Sequence, residues 1–173
     1  MADQTQQGAA LQSWWDQYQD QLTAGGVNRV ELFIRSCTPA LGTHDRRNQL
    51  FRSIEQQVND GPLERYDITV LSDKFCLCEN CQELYDDGLI DTVKRLMSWR
   101  SGGIRSTGFG EQDVDSSILD EQYTVIVPPE ITLGVYVDDR LVGVFPCRAA
   151  GVNCRPGAYF EGLENRELLE AAE

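Results

Sequence analysis

A single α/β domain, with a mixed central sheet flanked by helices, is what this sequence predicts, on three observations. Val30-Glu-Leu-Phe-Ile-Arg-Ser36 alternates apolar and polar residues in strand fashion, and Ile68-Thr-Val-Leu71 forms a second strand-like run. Between them lies an amphipathic helical stretch, so the three segments read as a parallel pair joined by a right-handed crossover. Further on, Ile131–Val137 and Leu141–Phe145 flank Asp138-Asp139-Arg140, the pattern of an antiparallel hairpin. At 173 residues the chain can bury a full core without disulfide or metal staples.

In order, residues 1–27 read as an N-terminal arm and 28–173 as the α/β domain. The arm opens on a polar run, then places Leu11, Trp14, Trp15, Tyr18 and Leu22 at helical spacing until Gly25-Gly26 stops the pattern. That face is expected to pack on its own domain or, through Trp14 and Trp15, on a second copy or a protein partner. After Cys37-Thr-Pro-Ala-Leu-Gly42 a helix begins near Thr43, with Leu50, Phe51, Ile54 and Val58 as its stripe and Asp60-Gly-Pro62 as its stop. A second long helix is expected from about Gln82 to Arg100, with Leu84, Tyr85, Leu89, Val93, Leu96 and Met97 on one face and Gly88 as its weak point. Residues 104–122 are polar and aperiodic and read as a long loop. Tyr123–Val127 is a strand ended by Pro128-Pro129, and 146–162 is a loop leading to a last helix at Leu163–Ala172.

The charge sets the setting. The formal net charge is -13, from 28 acidic and 15 basic residues, of which only Lys74 and Lys94 are lysine. An acidic, lysine-poor surface stays hydrated in concentrated salt, where self-repulsion is screened, and points to a halophile cytosol of haloarchaeal type. The polar face of the N-terminal helix is acid and amide rather than basic, which disfavours a membrane surface, and the overall acidity bears only weakly on DNA because in such proteins it is generic. No apolar run is long enough to span a membrane and no signal-peptide pattern begins the chain, so a cytoplasmic location is expected.

Six cysteines in that compartment are thiols, metal ligands or redox partners rather than a disulfide framework. Cys76-Leu-Cys78-Glu-Asn-Cys81 places three of them at C-x-C and C-x-x-C spacing, in a loop entering a helix, where they can converge on one soft ion. A closed tetrahedral zinc site needs a fourth ligand, and Cys37, Cys147, Cys154 and His44 are the candidates. Cys37 is preferred, because the loops after two parallel strands share one edge of the sheet. Redox-active thiols, an iron–sulfur cluster and free cysteines are the competing readings, and Cys147 and Cys154 are placed to pair with each other. His44 reads as an exposed first-turn residue rather than a general base. Asp86-Asp87, Asp113-x-Asp115 and Asp138-Asp139 read as solvated surface or turn acids. No glycine loop suits a phosphate. Arg46, Arg47 and Arg52 with Arg95, Arg100 and Arg105 are the residues from which a nucleic-acid patch would be drawn.

The order β-α-β-α-β-β-α over residues 29–172 resembles the thioredoxin-like fold. Val127-Pro-Pro-Glu-Ile-Thr-Leu133 with its hairpin resembles that fold's cis-proline strand and partner. Cys37-Thr-Pro-Ala40 stands where that family keeps Cys-x-x-Cys, with Ala40 in the second cysteine's place. The resemblance implies a redox thiol at Cys37; a ferredoxin-like α/β sandwich is the alternative architecture. Val30–Ser36, Val114-Asp-Ser-Ser117 and Glu121–Pro128 resemble a haloarchaeal group of small proteins labelled as helix-turn-helix domains, which implies transcriptional control. Three readings follow: a non-enzymatic regulatory or adaptor protein with zinc held by Cys76, Cys78, Cys81 and Cys37; a thiol-disulfide oxidoreductase using Cys37 and the cluster; and a DNA-binding regulator.

Overall fold

The computed structural model describes residues 8–35, 44–84, 88–118 and 120–165. Its elements are α1 (Ala9–Thr23), β1 (Asn28–Arg35), α2 (His44–Asn59), β2 (Arg65–Leu71), β3 (Phe75–Cys76), α3 (Glu79–Gln82) and α4 (Leu89–Ser98). They continue with β4 (Arg100–Ser101), β5 (Ile104–Ser106), β6 (Gly110–Ser116), β7 (Glu121–Val127), β8 (Ile131–Val137), β9 (Arg140–Phe145), β10 (Cys147–Ala149), β11 (Val152–Cys154) and α5 (Pro156–Asn165). The α/β class is as the sequence predicts.

The main sheet has the order β2-β1-β8-β9. β1 runs parallel to β2 with Leu32 opposite Ile68, and antiparallel to β8 with Leu32 opposite Leu133. β1 is covered on both faces. Val30, Leu32 and Ile34 point into one core with α1, α2 and α5, while Phe33 points into a second core with Ile90, Val93 and Leu96 of α4. The hairpin turn Asp138-Asp139 has φ of 50° and 60°, the left-handed geometry a two-residue connection needs. Asp138 adds a reason for being there, since its Oδ1 accepts the Val27 N–H at 2.9 Å.

Two smaller sheets surround this one: β3-β7-β6, and β11-β10-β5-β4. Four of their strands, β5, β6, β10 and β11, fall in the stretches expected as loops at 104–122 and 146–162. β6 shows no alternation because nearly all of it is exposed on both faces, and its order comes from seven register pairs with β7. β10 and β11 are three residues each, too short to print a pattern, and turn through Ala150 (φ 47°) and Gly151 (φ 92°).

Other boundaries move. The long helix expected over 82–100 is two helices, α3 and α4, and Gly88 at φ 85° stands between them as the N-cap of α4. Leu84, expected on the apolar stripe, is 83% exposed. The last helix starts at Pro156, earlier than Leu163, and residues 166–173 lie outside the described set. The cis peptide is Phe145–Pro146, at the end of β9, not at Pro128-Pro129 before β8.

α1 is held by the core it enters. A 15-residue helix is marginal alone, so its order comes from burying one face. Trp15, Tyr18, Phe145 and Tyr159 are almost wholly buried, and Trp14 stacks on Tyr18 with centroids 5.2 Å apart and meets Phe145 edge-on. Trp14 also donates Nε1–H to the Val142 carbonyl at 2.8 Å. Trp14 and Trp15 are therefore core residues that pack on their own domain, the first of the two placements considered from the sequence.

Candidate metal centre

Between β2 and α3 the chain is pinned at both ends. Phe75 is fully buried in the second core, and Cys76 pairs with Val125 of β7. The Leu77 N–H then donates to the Thr124 carbonyl at 2.8 Å. Cys78 caps α3 with extended backbone (φ -65°, ψ 152°), and Gln82 Nε2 folds back onto the Leu77 carbonyl. This clamp brings Cys76, Cys78 and Cys81 together: their Sγ atoms all lie within 4.8 Å of one another, each on a half-buried residue. Cys78 lines an open cleft of about 600 Å³ whose far wall is the β6–β7 hairpin, with Asp113 and Asp115 on it.

The three thiols are in mutual contact. The Cys78 N–H donates to Cys76 Sγ at 3.5 Å. Contact with the Cys76 thiol, then with the Cys81 thiol and backbone, lowers the Cys78 pKa; burial and the Glu121 carboxylate oppose this more weakly. Cys81 is pushed up to about 12, first by Cys78 and then by Cys76. Without a metal, the neighbouring thiols thus favour ionisation at Cys78 and oppose it at Cys81. A bound cation removes that conflict, because it offsets the repulsion between thiolates. Geometry is compatible: Zn–S bonds of about 2.3 Å in a tetrahedron set sulfurs roughly 3.8 Å apart, inside the 4.8 Å within which these three lie.

Of the proposed fourth ligands, Cys37 and the Ala40 position lie outside the described residues. Cys147 and Cys154 do not join the cluster. They face each other across β10–β11, both buried free thiols, and contact with Cys154 followed by burial raises the Cys147 pKa far above the usual thiol range. His44 is exposed at the start of α2. Among the described residues Cys76, Cys78 and Cys81 form the one group able to hold a metal ion.

Asp86-Asp87 lie outside the described residues, and the other two acidic pairs act as surface groups. Asp113 accepts from Thr124 Oγ1, and Asp139 pairs with Arg29 and Arg65 at 3.2 and 3.5 Å. The six arginines considered for a patch divide. Arg47 is buried, 3.7 Å from Glu130 and bonded to the Arg35 carbonyl, and so is structural. Arg46 and Arg52 are exposed on α2, while Arg95, Arg100 and Arg105 are exposed on α4, β4 and β5. No described helix is long and apolar enough to cross a membrane.

A family model described as a helix-turn-helix domain matches residues 22–168. No curated protein and no solved structure matches.

Proposed function

The chain belongs to that helix-turn-helix domain family, and from this membership we propose that it is a DNA-binding regulatory protein. The family match over residues 22–168 is the observation that carries the reading. α3 and α4 are consecutive helices among the described residues, and we assign them the helix-turn-helix role. α4 buries Ile90, Val93 and Leu96 and leaves Asp91, Lys94, Arg95 and Ser98 outward, the polar side chains a helix in a major groove uses.

Zinc at Cys76, Cys78 and Cys81, with Cys37 as fourth ligand, belongs to this proposal as the clamp that holds α3 against β7. When bound, the ion supplies cross-linking rather than reaction chemistry. The order of β1, α2, β2, α4, β8, β9 and α5 supports a thioredoxin-like scaffold beneath the DNA-binding role. The acidic, lysine-poor composition supports a salt-rich cytoplasm as its setting.

The test is selection from a randomised duplex library by the full-length protein, read at several salt concentrations. Enrichment of a defined sequence is expected, since a regulator discriminates its site from random duplex. Retention of no duplex even at low salt refutes the DNA-binding reading. For the clamp, metal analysis and thiol counting on the same preparation should give one zinc per chain. Metal-free protein whose cysteines cycle between thiol and disulfide refutes the zinc and restores the redox alternative at Cys37.

A further inference from the structure

The small sheet β11-β10-β5-β4 turns one face to the first core, through Ile104, Cys147, Ala149 and Cys154, and the other to solvent. On the solvent face three arginines stand in lateral register. Arg100 is opposite Arg105 on β5, and Arg105 is opposite Arg148 on β10. All three are exposed, and the row ends on Asn153 of β11. Arg100 also shares a cleft of about 290 Å³ with Arg140, which carries the basic line onto β9.

Like charges directly opposite on neighbouring strands repel, so such a row weakens the sheet unless something outside the chain neutralises it. This chain has carboxylates to spare and uses them elsewhere: Arg29 meets Glu31, Asp67 and Asp139, and Arg47 meets Glu130. Arg100, Arg105 and Arg148 form no ion pair among the described residues. The sequence keeps acids away from this face. No Asp or Glu lies between Asp91 and Glu111, a stretch holding Lys94, Arg95, Arg100 and Arg105. None lies between Asp139 and Glu161, which holds Arg140, Arg148 and Arg155. Two acid-free segments of an otherwise acidic chain are the two that the sheet joins.

We propose that the solvent face of β4, β5 and β10, with Arg100, Arg105 and Arg148, is the surface that grips the phosphate backbone of duplex DNA. The inference rests on the DNA-binding reading and adds where the backbone lies. Strands about 4.8 Å apart put the first and third arginine Cα atoms roughly 10 Å from each other, and guanidinium groups on long side chains can then follow successive phosphates. α4 leads into β4 through Trp99, so base contacts from α4 and backbone contacts from the row can be made on one duplex.

The experiment titrates a fluorescent mixed-sequence duplex with the full-length protein across a salt series. It compares wild type, Arg100→Ala, Arg105→Ala, Arg148→Ala, the triple variant, and Arg52→Ala on α2 as control. Each ladder variant should flatten the slope of log affinity against log salt by about 0.9, and the triple variant by about 2.7, with Arg52→Ala unchanged. Thermal melting of every variant at or above the wild-type temperature shows that folding is intact. If wild type binds and the ladder variants keep its slope, the surface assignment fails and the DNA reading stands. If the ladder variants lose binding to a single-stranded RNA but not to the duplex, the assignment to duplex DNA is overturned. If wild type binds no duplex, both fall.

Discussion

The hydroxyls of Tyr18 and Tyr159 meet at 2.5 Å, in a core where the two residues are 2% and 0% exposed. Neither hydroxyl has another partner among the described residues, so Tyr159→Phe leaves the Tyr18 hydroxyl buried and unpaired. An orphaned buried hydroxyl costs about 1–3 kcal/mol, whereas removing both partners with shape preserved is nearly neutral. Tyr159→Phe and Tyr18→Phe should therefore each lose about 2 kcal/mol, and the double variant less than either, a coupling that additive effects do not give. Urea unfolding followed by tryptophan fluorescence reads this as a shift in midpoint at constant slope.

The pair also sets a pH signature. Burial raises both tyrosine pKa values; at Tyr18 the bond to Tyr159 partly opposes this, and at Tyr159 the Tyr18 charge adds to it. The raised groups bind their protons more tightly when folded, so their contribution is complete below about pH 10, the unfolded value, and is lost as pH rises above it. Each tyrosine then steepens the fall by about 1.4 kcal/mol per pH unit. Cys147 adds its own slope from about pH 8.5, so the comparison is between variants: Tyr159→Phe should fall less steeply than wild type. Single variants within about 0.5 kcal/mol of wild type, or a double variant equal to their sum, would refute the bonded pair.

Three further outcomes follow from local geometry. Gly143→Ala places a Cβ 2.5 Å from Trp14, whose ring is held by Tyr18, Phe145 and its bond to Val142, so about 1–3 kcal/mol of overpacking should appear in thermal melts. Ala150→Asn gives the β10–β11 turn an Asn-Gly pair suited to φ 47° and 92°; it should gain about 1 kcal/mol, roughly 2–4 °C in Tm. Cys78→Ser should abolish zinc retention and make the Tm insensitive to chelators, whereas Cys154→Ser should leave zinc stoichiometry unchanged.

How much the sequence revealed depended on whether a segment's partners lie in one face of its own pattern. α1 and α2 each bury a stripe at helical spacing, and β1 and the β8–β9 hairpin are runs of strand formers ended by turn residues, so local pattern located them. β6 has no buried face, so nothing but its pairing with β7 orders it. The break between α3 and α4 was hidden because apolar residues continue at helical spacing past Gly88; Leu84 matches the stripe yet faces solvent. Cys76, Cys78 and Cys81 were legible because their closeness is local. The arginine row needs cross-strand register, which no local pattern supplies, although the two stretches without acids were there to be read in the chain.

β1 sits second in the main sheet, beside a strand translated more than a hundred residues later: Asn28 pairs with Val137. The aromatic residues that receive α1, Phe145 and Tyr159, come later still. Such distant pairings must close large loops before they reward the chain, so folding waits on them and is slow for a protein of this size. On the ribosome, the N-terminal third is made long before its neighbours exist. Its apolar strand and tryptophans stay exposed until β8, β9 and α5 emerge, and that interval is when this protein is most open to aggregation and to chaperones.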